Sequence, residues 1–180
     1  MKKILIQFDG SNFYKKVKKI APEIHLTNFN YAEFSKNISK SKKIKLIYYV
    51  GEVKKFNNNK KSQSLYSGQQ SLFSNLRNQG FDIKLGYILF SNREYHEKGV
   101  DVQIAVDLVR GAIKNEYDIC YLISSDTDLL PAVKDAQAEG KKIVYVAFEK
   151  YISHALLNNC SATIVIKKND FIKFRKKFKK

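Results

Sequence analysis

Tyr121-Leu122-Ile123-Ser124-Ser125-Asp126-Thr127-Asp128-Leu129-Leu130-Pro131 is the stretch whose reading decides the fold. The apolar run Ile119 to Ile123 leads into a small polar turn with two carboxylates two residues apart. Leu130, Val133 and Ala136 then repeat at helical spacing, closed by Gly140. The pattern is strand, acidic turn, helix. In an open α/β sheet, ligands bind outside the carboxyl ends of the strands, which is where this turn falls. Aspartate also caps helices, so Asp126 or Asp128 alone is equally well a helix start. The rest of the chain decides between the two.

Upstream, Lys3 to Phe8 is a short apolar run ending at Asp9-Gly10-Ser11-Asn12, with a helix expected through Val17 and Ile20 up to Pro22. Tyr31, Phe34 and Ile38 are spaced for a short amphipathic helix. Ile44 to Val50 is a second strand. Glu52 to Lys61 is polar and basic and reads as a loop. Leu65, Leu72, Phe73 and Leu76 mark a helix ending at Gly80. Phe81 to Leu85 alternates as a strand, Tyr87 to Phe90 continues it or pairs beside it, and Ser91 to Lys98 reads as a polar loop. Gly99 to Val109 is helical. Val100, Ile104, Asp107 and Gly111 form one stripe, and Val102, Val106 and Val109 form another, so the helix is expected to be buried. Asp107 lies amid apolar residues, and a buried aspartate needs a partner or a cation. Ile143 to Phe148 and Ala162 to Ile166 are further strands, with a short helix at Ile152 to Leu157. Several strands are apolar on both faces and alternate with helices. This is the pattern of an α/β chain, a three-layer α/β/α sandwich with a mostly parallel central sheet.

Composition bounds the function. The chain has 180 residues, 44% of them hydrophobic, and a formal net charge of +16. That size suits one domain, and the charge favours a polyanionic partner, most simply nucleic acid. No apolar run reaches the ~20 residues of a membrane span, and the start is too quickly polar for a signal peptide, so an intracellular, cytoplasmic protein without a membrane partner is expected. Cys120 and Cys160 make no zinc-type ligand pattern. GxGxxG and Walker A patterns are absent, and His25, His96 and His154 sit in no nucleophile context. A phosphatase of the HAD type wants a second aspartate where Ser11 stands, and a Toprim fold wants glutamate where Asp9 stands.

Three acidic sites then share one address. Asp9 follows the first strand, Asp126 and Asp128 follow a later one, and Asp101 opens the helix before that strand. Carboxylates crowded at a sheet's switch point repel one another unless cations lie between them. Hard oxygen ligands suit Mg²⁺ or Mn²⁺, which lower the pKa of bound water and clamp a phosphodiester, as a pair roughly 3.5–4 Å apart in two-metal sites. Asn12 and Ser125 are placed to orient water or phosphate. Lys54, Lys55, Lys60, Lys61 and Lys98 are candidates to grip a backbone, and Tyr48, Tyr49 and Tyr66 to stack single-stranded bases.

Asp9-Gly10-Ser11-Asn12, Lys98-Gly99-Val100-Asp101-Val102 with Asp107, and Ser124-Ser125-Asp126-Thr127-Asp128-Leu129-Leu130-Pro131 together resemble the NYN domain, a branch of the PIN-like nucleases, and are similar to its LabA-like members. Thr127 and Leu129 stand where Ser and Phe are common in that family. The resemblance covers roughly Lys3 to Ile166 and implies a PIN-like sandwich, with 1–166 as the domain. In the basic tail, 167–180, Phe171, Phe174 and Phe178 fall at i, i+3 and i+7, so a terminal helix packing them on the domain is expected. The resemblance also implies metal-dependent cleavage of RNA, single-stranded RNA being favoured, with the metal and catalytic roles on Asp9, Asp101, Asp126 and Asp128 and with Asn12 at the site. The alternative is a non-catalytic, regulatory nucleic-acid-binding module on the same fold. A homodimer is left open.

Overall fold

Strand β1 (Ile4–Asp9) lies at the middle of a seven-stranded sheet in the computed structural model, which describes residues 2–55, 60–91 and 94–175, with backbone alone at 90, 91, 94 and 95. The other strands are β2 (Ile44–Glu52), β3 (Phe81–Ser91), β4 (Glu94–Lys98), β5 (Ile119–Ile123), β6 (Lys142–Phe148) and β7 (Ala162–Ile166). Their order is β4-β3-β2-β1-β5-β6-β7. Every pairing is parallel except β3 with β4. The chain first builds outward from β1 through β2 to β4. It then crosses back to β5 on the other side of β1. The carboxyl ends of β1 and β5 therefore frame the switch point, where neighbouring connections leave in opposite directions.

Both faces of the sheet are covered, because alternate residues along each strand feed two different cores. Ile6, Phe8, Tyr48 and Phe148 meet α1 (Gly10–Ile20), α2 (Tyr31–Ser39) and α3 (Lys60–Arg77). Leu5, Tyr49, Leu122 and Tyr145 meet α4 (Val100–Ile113), α5 (Leu130–Ala138) and α6 (His154–Asn159). The first core is aromatic. Phe8 packs on Phe13, Tyr31, Phe34, Tyr48 and Phe81 with ring centroids 5.3–6.1 Å apart. Such pairs contribute about 0.5–1.5 kcal/mol each beyond their burial. The second core is mostly aliphatic and includes the fully buried Cys120.

Three expectations change. Ser91 to Lys98 is not a loop: Glu94–Lys98 is an edge strand, paired antiparallel to β3. Lys60 and Lys61 open α3 instead of closing a loop. The Val102 stripe of α4 is not buried, since Val102 is 66% and Val106 48% exposed; the sheet covers only the side carrying Val100, Ile104, Leu108 and Ala112. Beyond residue 166, α7 (Lys168–Ile172) lays Phe171 into the aromatic core, stacked on Phe34 and Phe148 at 5.6 Å each, and Phe174 follows it against Phe34 at 5.5 Å. Phe178 lies outside the described residues. Among the described residues, no helix is long and apolar enough to cross a membrane.

Candidate functional site

β1 ends on Asp9, which is only 4% exposed. One of its oxygens accepts the Asn12 backbone N–H at 3.0 Å and so caps α1. The other accepts the Ser124 hydroxyl at 2.7 Å. Ser124 Oγ in turn accepts the Asp126 N–H at 3.1 Å, and Asp126 Oδ1 accepts the Asp128 N–H at 3.0 Å. That last bond caps the 3₁₀ turn Thr127–Leu129 leading into α5. The carboxyl ends of β1 and β5 are thus tied by a relay of side chain and backbone. Asn12 adds a second tie, its Oδ1 accepting the Ser125 N–H at 3.3 Å. Ser125 Oγ donates to the Tyr151 carbonyl and accepts from the Tyr145 hydroxyl, both at 3.2 Å. The capping role of Asp126 is therefore real, and it coexists with a position at the switch point.

The electrostatics are those of crowded anions. Burial, the largest cause, pushes the Asp9 carboxyl up to about 6; the Asn12 and Ser124 hydrogen bonds oppose this, while the charges of Asp101 and Glu97 add to it. Asp101, exposed on the first turn of α4, is also raised, by partial desolvation first and then by the charges of Asp126, Glu97 and Asp128. Asp101 thus links the two sides of the mouth: its charge acts on Asp9, and those of Asp126 and Asp128 act on it.

Glu97 is the member that reading the sequence misses. It sits on β4, and its Oε2 accepts the Ser11 hydroxyl at 2.7 Å and the Gly51 N–H at 2.5 Å. Two facing glycines leave it room. Gly51 and Gly86 are register partners on β2 and β3. A Cβ at Gly51 would stand 2.8 Å from Glu97 Oε2, and one at Gly86 would stand 2.6 Å from the Lys98 carbonyl. The signal in the sequence is those two glycines within strands, which mark close approach of another chain segment.

Asp107 belongs elsewhere. It faces Lys84 at 2.7 Å, Arg110 at 2.8 Å, the Tyr49 hydroxyl at 3.0 Å and Gln103 at 3.1 Å. Burial alone pushes its carboxyl up, but hydrogen bonds from Lys84, Tyr49 and Gln103 outweigh this and hold it below the usual range. Its need for a partner is met by protein groups. Tyr48 and Tyr49 are fully buried and cannot stack a base, which corrects that reading of them. Tyr66 is half-buried on α3, Lys54 and Lys55 are exposed after β2, Lys60 and Lys61 are exposed at the start of α3, and Lys98 is exposed at the end of β4.

The donor set at the mouth is all hard carboxylate oxygen, with mutual repulsion that a divalent cation relieves, so its chemistry fits Mg²⁺ or Mn²⁺. As placed, no three acidic, His or Cys side chains among the described residues stand close enough together to hold an ion. Binding one requires the exposed carboxylates of Asp101 or Asp128, or the half-buried one of Asp126, to turn inward toward the fixed Asp9.

Comparison with known proteins bears on the whole arrangement. The NYN domain profile matches residues 3–167. The chain is 30% identical over 116 residues to an uncharacterized protein of Methanocaldococcus jannaschii, a match covering 57% of this chain and 44% of that protein. The chain thus spans less than half the length of that curated relative. The crystal structure of a protein of unknown function from Vibrio parahaemolyticus shares the fold, with a TM-score of 0.69 and 23% identity over 94% of this chain and 95% of that one.

Proposed function

The chain belongs to the NYN domain family, with its PIN-like nuclease fold, and on that premise we propose that it is a metal-dependent ribonuclease. The observation that carries this reading is the buried Asp9 carboxyl, fixed by two donors and faced by the charges of Asp101 and Glu97. Concentrated negative charge at the mouth of a chain of net charge +16 has a use only if cations occupy it and a polyanion is drawn to the surface around it.

In this mechanism Asp9, Asp101 and Asp126 would hold the cations, and Asp128 would complete or orient the set. When bound, Mg²⁺ or Mn²⁺ supplies a hydroxide-like water and neutralises charge developing on the phosphate. The chain's own groups do the rest. The relay through Ser124 holds Asp9 in one rotamer. Asn12 and Ser125 orient the phosphate or the attacking water. Lys98, with Lys54, Lys55, Lys60 and Lys61 further along, neutralises backbone phosphates.

The test is cleavage of a labelled single-stranded RNA with Mn²⁺ or Mg²⁺, with EDTA, and with Asp126→Asn purified identically. Asparagine still caps the 3₁₀ turn, so the fold is kept. Metal-dependent cleavage in the parent and its loss in the variant is the expected result. Equal cleavage by the variant would assign the activity to a contaminant. A second reading, a binding module without turnover, is favoured by the absence of a preformed three-ligand cage among the described residues. It predicts salt-sensitive RNA binding by both proteins and no cleavage by either.

A further inference from the structure

A groove of about 430 Å³ opens beside the acidic mouth, between α1 and α3. It is lined by Gly10 and Ser11, the first residues of α1 directly after Asp9, so it is continuous with the candidate site. One wall is α1, with Tyr14 53% exposed and Lys15 and Lys18 at the rim. The other wall is α3, with Leu65 51% exposed and Gly68. Lys18 donates only to the carbonyls of Pro22 and Ile24, so its charge is not neutralised there. No carboxylate lines the groove among the described residues, in contrast to the mouth next to it.

Gly68 opens the α3 wall of the groove. It sits in the interior of the 18-residue helix α3, where glycine costs about 1 kcal/mol relative to alanine. A Cβ there would meet nothing within 4 Å. Packing in the protein therefore does not require glycine at this position. Without a side chain, Gly68 leaves the helix backbone open to close approach from the groove.

We propose that this groove holds the base of a nucleotide of single-stranded RNA adjacent to the phosphate at the acidic mouth, with the base against the Tyr14 ring and the Gly68 backbone and the neighbouring phosphates on Lys15 and Lys18. The proposal rests on the RNA reading above and adds a base subsite to it. The volume lies within the range of small-ligand pockets. The apolar walls and exposed ring suit a π-face, which every base offers, and the rim cations suit a phosphate chain.

The experiment compares Gly68→Phe, which fills the groove, with Tyr14→Ala, which removes its ring, both made in an Asp126→Asn background with Mn²⁺. The probes are a short labelled single-stranded RNA and the same strand with abasic residues. Each substitution is expected to weaken RNA binding about tenfold or more, the loss a base–aromatic contact carries, and to leave the abasic strand unchanged. The melting temperature of Gly68→Phe should not fall, since phenylalanine is the better helix former. Unchanged RNA affinity in both variants overturns the groove, as does a parent that binds the abasic strand equally well. Metal-dependent cleavage that persists unaltered in Gly68→Phe, with Asp126 restored, overturns the groove and leaves the nuclease standing. Base-dependent binding that needs Gly68, in a parent that cuts nothing, supports the groove and overturns the nuclease.

Discussion

Asp9 is a carboxyl group that the fold keeps almost dry, and its proton affinity follows from that. Its pKa in the folded chain is about 6, against an ordinary 3.8. Between those values the unfolded chain has lost the proton and the folded chain still holds it, so stability falls as pH rises through that window. The loss amounts to at most about 3 kcal/mol. In metal-free buffer near pH 7, Asp9→Asn is therefore expected to be more stable than the parent, and the advantage should shrink toward pH 4. Denaturant midpoints of the two proteins across this range check it, and parallel pH profiles would sink the argument. Asp107 has the opposite sign. Its lowered pKa means that its contribution is present above the ordinary carboxylate pKa and is lost as pH falls through the folded value. Asp9, Asn12 and Asp126 stood out in the sequence because they lie at recognisable junctions of strand and helix, and Asp101 because it opens a helix. The partners of Asp107 were not, since Lys84 and Tyr49 come from other strands and only tertiary packing brings them there.

At the scale of the element, the hairpin of β3 and β4 is what carries Glu97 across to Ser11 and Gly51. Two substitutions separate what the hairpin does from what its carboxylate does. Gly86→Ala puts a methyl group against the Lys98 backbone carbonyl, which cannot swing aside as a flexible side chain could, and should cost about 1–3 kcal/mol as the hairpin shifts. Glu97→Gln keeps the shape, can still accept from Ser11, and should lower metal-dependent cleavage about 10–100-fold with little change in stability. A Glu97→Gln variant as active as the parent would reduce Glu97 to a strut for the hairpin. The strand itself was hidden in the sequence for a physical reason. Glu94-Tyr95-His96-Glu97-Lys98 is an edge strand with no period-2 apolar signal, so only its partner defines it. The valines of α4 misled in the other direction. Apolar residues on two stripes suggested burial, but a single sheet covers a single side, and Val102 and Val106 face outward.

For the molecule as a whole, one sheet separates an aromatic core from an aliphatic one, and α7 closes the aromatic side by wedging Phe171 between Phe34 and Phe148. Phe171→Ala should cost about 3–5 kcal/mol, read as a lower denaturant midpoint at an unchanged slope. A loss below 1 kcal/mol would mean that α7 is an appendage. The α/β alternation was legible because buried parallel strands are written as continuous apolar runs. The tail's packing was legible too, because Phe171, Phe174 and Phe178 recur at helical spacing within the Lys-rich segment, and Phe171 and Phe174 do enter the core. The strand order has a further consequence, in time. Asp9 and Ser124, whose bond ties the site together, are 115 residues apart in the chain. At ribosomal rates of about 5–20 residues per second, the second appears roughly 6–23 seconds after the first. Throughout that interval the growing chain carries half a site, and the bond that fixes Asp9 has no donor.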